Sequence, residues 1–278
     1  MRFAKMQGVG NDFVVIAAKD VCARVLPELA LDLCRRKFSV GADGLLVIGE
    51  TTGDADISFQ MFNPDGSEDM CGNGLRCAAL WAYHHNIVKP GKFLAATKDG
   101  PRQCELISVV SNRAVVRIDM GVPRFVPSEI PIVTNIQREF INQPINILGK
   151  ILRSTALNTG STHTVVFVDE PVDDLNFFKF SPPFENDPIF PERTSVLWTH
   201  QIEDARFAVR IWERGAGETL GCGTGACAAA VAAVVTGRAK RNEPIMITSK
   251  GGELSVVWSD TIWMTGPSVL VFDGEINE

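Results

Sequence analysis

Apolar and polar residues alternate over Ile57 to Phe62 and again over Arg206 to Trp212, the period of two expected of half-buried strands. Short apolar runs at Phe3 to Met6, Phe13 to Ala17, Leu45 to Ile48, Ile107 to Val110, Ala114 to Met120 and Thr162 to Val168 predict further strands. Turn residues separate them at Gly8 to Asp12, Gly41 to Gly44 and Asn63 to Gly66, and Ser111 to Arg113 predicts a hairpin. Pro27 to Arg36 reads as a helix, with Pro and Glu at its start and cations at its end. Residues 169–190 are rich in proline and are expected to be irregular. After Glu243 several strands follow, with turns at 250–252 and 259–260.

Two stretches break this alternation. Cys222, Gly223, Thr224 and Gly225 lead without interruption into a run of alanines and valines. Cys71, Gly72, Asn73 and Gly74 lead in the same way into a second small-residue run, expected to stay helical to about Lys89. Each is a glycine-rich turn opening a buried helix. Each half of the chain thus places strands before and after a central helix, which predicts a duplicated α+β unit with the active site between the copies. Prolines 123 and 127 interrupt the strands and suggest a crossing from one unit to the other.

With 278 residues, 45% hydrophobic and 22% charged, the composition is that of an ordinary globular protein. A net charge of −6 without a Lys/Arg cluster argues against nucleic acid as a partner. The longest apolar run falls short of a membrane span, and the N-terminus is strand-like, so the expected location is the cytoplasm. Seven cysteines without a framework spacing fit a reducing compartment. Of these, Cys22, Cys34 and Cys104 are expected to be inert, and Cys77 and Cys227, past the first helical turn, to pack in the core.

Glycines ahead of a helix let backbone N–H groups approach an anion, and the helix field favours negative charge there. The same field predicts that the Cys222 thiol has a pKa below the free value of about 8.5. Two such thiols on facing units, with a carboxylate held by both sets of N–H groups, can take a proton from one face of the adjacent carbon and deliver one to the other. That inverts a stereocentre. No cofactor is indicated. The spacings Cys71-x5-Cys77 and Cys222-x4-Cys227 do not suit zinc, and the glycines at 221, 223 and 225 lack the Lys-Ser/Thr of a phosphate loop. A structural Cys71–Cys222 disulfide, or a catalytically silent anion-binding protein, remain as alternatives.

The segments 63–77 and 213–227 resemble the two signatures of the diaminopimelate epimerase family, supported by matches at Gly8 to Phe13, Gly41 to Gly44, Phe190 to Arg193 and Met264 to Gly266. The resemblance implies two similar domains, each a curved, mostly antiparallel sheet around a central helix, here 1–119 with 264–278, and 120–263. It implies interconversion of LL- and meso-diaminopimelate, on the route to lysine and peptidoglycan, without cofactor or metal and by a homodimer. Cys71 and Cys222 then carry the acid and base roles, and the amides of Gly72, Asn73, Gly223 and Thr224 hold the reacting carboxylate. Asn11, Asn63, Glu213 and Arg214 match substrate-binding positions, and His163, with Glu213, is placed to tune the thiols. Read alone, Asn11 is a turn residue, His163 a structural histidine and Glu213 a partner of Arg214. Ser161 and Ser195 stand where many members have Asn, at the family's grip on the distal end of the substrate, which leaves open a racemase of this fold acting on another amino acid.

Overall fold

The computed structural model describes residues 1–21, 25–51, 53–136 and 138–276. Its chain forms two compact units, one of Met1–Asp119 with Thr265–Glu278 and one of Met120–Met264.

The first unit contains β1 (Arg2–Gly8), β2 (Asn11–Ala17), α1 (Leu26–Leu33), β3 (Gly44–Gly49), β4 (Ile57–Phe62), the short β5 (Glu68–Asp69), α2 (Gly72–His84), β6 (Gly91–Thr97), β7 (Gly100–Val110) and β8 (Arg113–Asp119). The C-terminal strand Ile262–Glu275 pairs antiparallel with β1 and also pairs with β8. The sheet therefore closes on itself: from β1 through β2, β3, β4, β6 and β7 to β8, and back to β1 through the C-terminal strand. Among the described residues each long strand of this ring has a partner on both sides. Within this ring α2 packs against β1, β2, β3, β4, β7 and β8 and is buried from Gly72 through Ala82. A helix enclosed on all sides has no exposed polar stripe, and this buried stretch of α2 is accordingly glycine, alanine and larger apolar residues apart from Asn73 and Arg76.

The second unit repeats this plan. It consists of β9 (Gln143–Ile147), β10 (Lys150–Asn158), β11 (Thr162–Val168), α3 (Phe177–Glu185), β12 (Ser195–Glu203), β13 (Arg206–Glu213), β14 (Gly217–Thr219), α4 (Gly223–Val235), β15 (Ile245–Ser249) and β16 (Gly252–Trp258). Pairing is antiparallel except at two places, where β11 lies parallel to β12 and β13 parallel to β15. In the first unit the two parallel pairs are β2 with β3 and β4 with β6. Parallel neighbours need a long crossover, usually a helix. The four helices α1, α2, α3 and α4 supply those four crossovers.

That requirement corrects the expectation for residues 169–190. They are not wholly irregular: α3 is the crossover from β11 to β12, although it contains Pro182 and Pro183. Neither proline can donate a helical hydrogen bond, so burial holds the segment. Phe177 and Phe184 are almost fully enclosed with Phe190, Val196 and Trp198, and the Trp198 indole donates to Ser181 Oγ at 2.9 Å. Helix α2 also ends earlier than expected. Asn86 turns into the left-handed region with φ 59°, and the His85 ring stacks on Trp81 and lies 2.8 Å from its carbonyl. Helix α1 stops at Leu33, which leaves Arg36 outside it and bonded to Asp12 and Asp43.

Cys77 and Cys227 are completely buried, as are Cys34 and Cys104 nearly so, while Cys22 lies outside the described residues. Truncating the α3 anchor by Phe184→Ala should cost about 3–5 kcal/mol, as expected for an enclosed aromatic. Urea unfolding checks this, and a loss below about 1 kcal/mol would show α3 to be a loosely attached crossover.

Candidate functional site

Both predicted thiols are the N-caps of the enclosed helices. Cys71 precedes α2 with φ −127° and ψ 116°, and its sulfur accepts from the Gly74 N–H at 3.4 Å. Cys222 precedes α4 with φ −130° and ψ 119°, and its sulfur accepts from the Gly225 N–H at 3.3 Å. The sulfur thus takes the place that a Ser or Asp oxygen holds in an ordinary cap. Glycine at the donating position has a steric reason. A Cβ on Gly74 would come 3.0 Å from Leu46 Cδ2 in β3, and one on Gly225 would come 3.1 Å from Leu197 Cδ2 in β12. Those leucines occupy matching strands of the two units. Gly72 and Gly223, with Asn73 and Thr224, are the first two residues of their helices, where no earlier turn supplies carbonyls.

In the first unit, Cys71 Sγ donates to Asn11 Oδ1 at 3.6 Å, and the Asn73 amide donates to the same oxygen at 3.3 Å. Asn11 is oriented in turn by Asp43, whose carboxylate accepts from the Asn11 amide at 2.9 Å and from the Asp12 N–H at 3.1 Å. The buried Arg76 donates to Asn73 Oδ1 at 2.9 Å and to the Pro267 carbonyl at 3.1 Å. Asn63 is not hydrogen-bonded into this group; its amide donates to Ser67 Oγ at 3.0 Å. Asp12 is held by Lys5 and Arg36: burial pushes its pKa up, but the bonds to those cations outweigh that and leave it below the usual value.

In the second unit a chain of polar groups runs into the sulfur. Thr224 Oγ1 lies 3.3 Å from Cys222 Sγ, 2.9 Å from His163 Nε2 and 3.2 Å from Ser161 Oγ, which is itself 2.9 Å from His163 Nε2. Thr159 Oγ1 fixes the turn by donating to the Thr224 carbonyl at 2.8 Å. Glu213 accepts from the Thr219 hydroxyl at 2.5 Å. The exposed Arg214 donates its backbone N–H to Ser195 Oγ at 3.1 Å and its guanidinium to the Glu192 carbonyl at 3.2 Å. Ser161 and Ser195 therefore bond to the groups around the thiol and the arginine.

The helix field is expected to lower the pKa of the Cys222 thiol; at the corresponding cap of the other unit, Cys71, the shift runs the other way. Burial pushes the Cys71 thiol up to about 11, against the smaller opposing effect of the Gly74 and Asn73 N–H groups. Desolvation of the charged form can outweigh a few N–H dipoles. Burial, with the Arg214 charge second, pushes the His163 imidazole down to about 3, so it is neutral near pH 7. All six described cysteines are free thiols, Cys71 and Cys222 among them, so neither is in the disulfide held as an alternative. Four further residues shape the site without having been singled out for it in the sequence: Asp43, Arg76, Thr159 and Glu185. Asp43 sits in a stretch read as a turn and as a family match, and Arg76 lies within the first signature segment, 63–77.

The profile of a family described as diaminopimelate epimerase matches residues 3–126 and 155–271. The chain belongs to the diaminopimelate epimerase family. It is 39% identical over 284 residues to the diaminopimelate epimerase of Desulfovibrio desulfuricans, covering 99% of this chain and 98% of the relative. It is 38% identical over 283 residues to that of Methanothermobacter thermautotrophicus, covering 98% of this chain and 97% of the relative. It is accordingly an enzyme of the epimerase class. Among solved structures its fold is similar to a PhzF-family phenazine biosynthesis protein of Bacillus anthracis, with a TM-score of 0.73, 14% identity and coverage of 100% and 99% of the two chains. It is also similar to a hydroxyproline epimerase of Agrobacterium vitis, with a TM-score of 0.69, 14% identity and coverage of 99% and 91%. No helix among the described residues is long and apolar enough to cross a membrane.

Two measurements follow from the ionisations. Alkylation of Cys71 by iodoacetamide, resolved by peptide mapping, should be slow at pH 8 and rise about tenfold per pH unit towards pH 11; a plateau already reached below about pH 8.5 would show that the helix field outweighs burial at this thiol. His163 is held neutral in the fold down to about pH 3, whereas its ordinary value is 6.5. The unfolded chain therefore binds a proton that the folded one does not, and stability falls as pH drops from about 6.5 towards 3. Urea midpoints at several pH values should show a shallower acid loss in His163→Gln than in the wild type.

Proposed function

We propose that this chain interconverts LL- and meso-2,6-diaminopimelate by a two-thiol mechanism that uses no cofactor. The observation that carries the reading is the recurrence of a cysteine as N-cap of a buried helix in both units of a chain 38–39% identical to diaminopimelate epimerases.

The chemistry is a proton exchange at the carbon next to a carboxylate. One sulfur, as thiolate, takes the α-proton and becomes a thiol; the other, as thiol, gives its proton to the opposite face and becomes a thiolate. Charge and protons balance, and the two sulfurs leave turnover with their roles exchanged. Negative charge grows on the carboxylate oxygens in between. The first-turn amides of Gly72, Asn73, Gly223 and Thr224 are the donors proposed to meet it. A thiolate made in a desolvated place is a stronger base than one in water, and the raised pKa of Cys71 serves the step in that way.

Arg214 presents a planar fork of donors suited to a substrate carboxylate, and Asn11, Asn63 and Glu213 are proposed as further substrate contacts. The role of His163 is that of a neutral partner: its Nε2 bonds to the Thr224 hydroxyl, which lies against Cys222 Sγ, so it tunes the thiol through a hydrogen bond instead of a charge. Glu213 is read as tuning it electrostatically. A cytoplasmic homodimer serving lysine and peptidoglycan synthesis is part of the same reading.

A second reading, a racemase of this fold for another amino acid, draws on Ser161 and Ser195. Both hydroxyls are engaged within the protein, at His163 with Thr224 and at the Arg214 N–H. Proton NMR of reduced protein with LL-diaminopimelate in deuterated water, beside a panel of amino acids, separates the readings. Loss of the α-proton signal with appearance of the meso isomer is expected. Exchange confined to another amino acid selects the second reading, and no exchange at all removes both. Cys71→Ala and Cys222→Ala should each lower turnover by roughly 10³-fold, the scale of a lost general acid or base.

A further inference from the structure

A buried carboxylate lies beneath the strand end that carries Glu213 and Arg214. Glu185, the last residue of α3, is 5% exposed. One of its oxygens accepts from the Gly215 backbone N–H at 2.7 Å and from Arg193 Nη1 at 3.2 Å; the other accepts from the Trp212 indole N–H at 2.6 Å. Arg214, between those two residues, has its own N–H on Ser195 Oγ at 3.1 Å. Two consecutive amides, those of Arg214 and Gly215, are thus held by side chains from other elements. Gly215 itself has φ +78°, in the left-handed region, so the chain turns sharply there.

The arrangement is demanding. A buried carboxylate needs its oxygens satisfied, and charge-assisted bonds are shorter and stronger than neutral ones. Here the Arg193 guanidinium compensates the charge, and the indole and amide N–H groups direct it. A simpler structural role would be met by any buried acceptor, but this one bonds Trp212, two residues before Arg214, and Gly215, directly after it.

We propose that Glu185 is a positioning residue: by holding Trp212 and Gly215, together with Ser195 at Arg214, it fixes the direction in which the Arg214 guanidinium meets the substrate carboxylate. This rests on the epimerase reading for the identity of the substrate, not for the geometry. It also gives Ser195 a function, that of orienting the arginine peptide.

Glu185→Gln tests the idea with little change of shape. An amide has one accepting oxygen and a donating nitrogen, so whichever way it turns, an N–H faces an N–H. Kinetics with diaminopimelate should show KM raised about tenfold with kcat changed much less, the sign of lost substrate positioning. Hydrogen exchange of the Gly215 amide should become faster in the same variant. Adding Trp212→Phe removes the competing indole donor, so the Glu185→Gln/Trp212→Phe double variant should regain the KM of Trp212→Phe alone; a general loss of packing would not be rescued in this way. Unchanged KM, or a fall in kcat alone with unchanged Gly215 exchange, would overturn the proposal. If the wild type itself fails to turn over diaminopimelate, the failure belongs to the functional reading. Gly215 exchange then decides the clamp by itself, acceleration supporting it and no change sinking it.

Discussion

The structure depends on a sulfur capping the N-terminus of a helix that is buried on every side. A cap must accept from the first-turn N–H groups, and a thiol does so at 3.4 Å in one unit and 3.3 Å in the other. Burial of the helix shapes its composition: α2 is mostly small and apolar, and its buried Arg76 is met by hydrogen bonds to Asn73 Oδ1 and the Pro267 carbonyl. Glycine at the donor position follows from the closeness of Leu46 and Leu197. Thus one local device sets the residue types of two helices and the approach of two sheets.

Two opposing effects meet at that sulfur. The helix field contributes about 0.3–1 kcal/mol to an anion in exposed settings, less than one pKa unit at 1.36 kcal/mol each. Desolvation moves a buried group by up to about 3–5 units. For Cys71 burial wins, and the thiol keeps its proton at neutral pH. In the proposed proton exchange this suits the donor, which must keep its proton until charge develops on the substrate carboxylate.

Around the caps, carboxylates organise the loops. Asp43 accepts from the Asn11 amide and the Asp12 N–H, and Glu185 accepts from the Gly215 and Trp212 N–H groups. Each carries a cation, Arg36 for Asp43 and Arg193 for Glu185. Turns expose N–H groups that no strand can satisfy, and an ionised oxygen is the strongest acceptor the chain possesses. Ser161 and Ser195 belong to the same layer: their short side chains reach protein groups within hydrogen-bonding distance.

Local patterns sufficed for much of this. Alternation specified strands such as Ile57–Phe62 and Arg206–Glu213, and the two Cys-Gly-x-Gly stretches announced two helix starts, because strand period and helix-opening glycines are properties of neighbouring residues. Tertiary structure decided what neighbours cannot. The α3 helix forms across two prolines because β11 and β12 run parallel and need a crossover that buries Phe177 and Phe184. The raised Cys71 pKa reflects enclosure by residues distant in sequence, and Glu185 acquires its part only when it meets Trp212 and Gly215, nearly thirty residues further along. Charge, solvent exclusion and long-range hydrogen bonds depend on what surrounds a residue in space, and the order of residues along the chain states that only after it has folded.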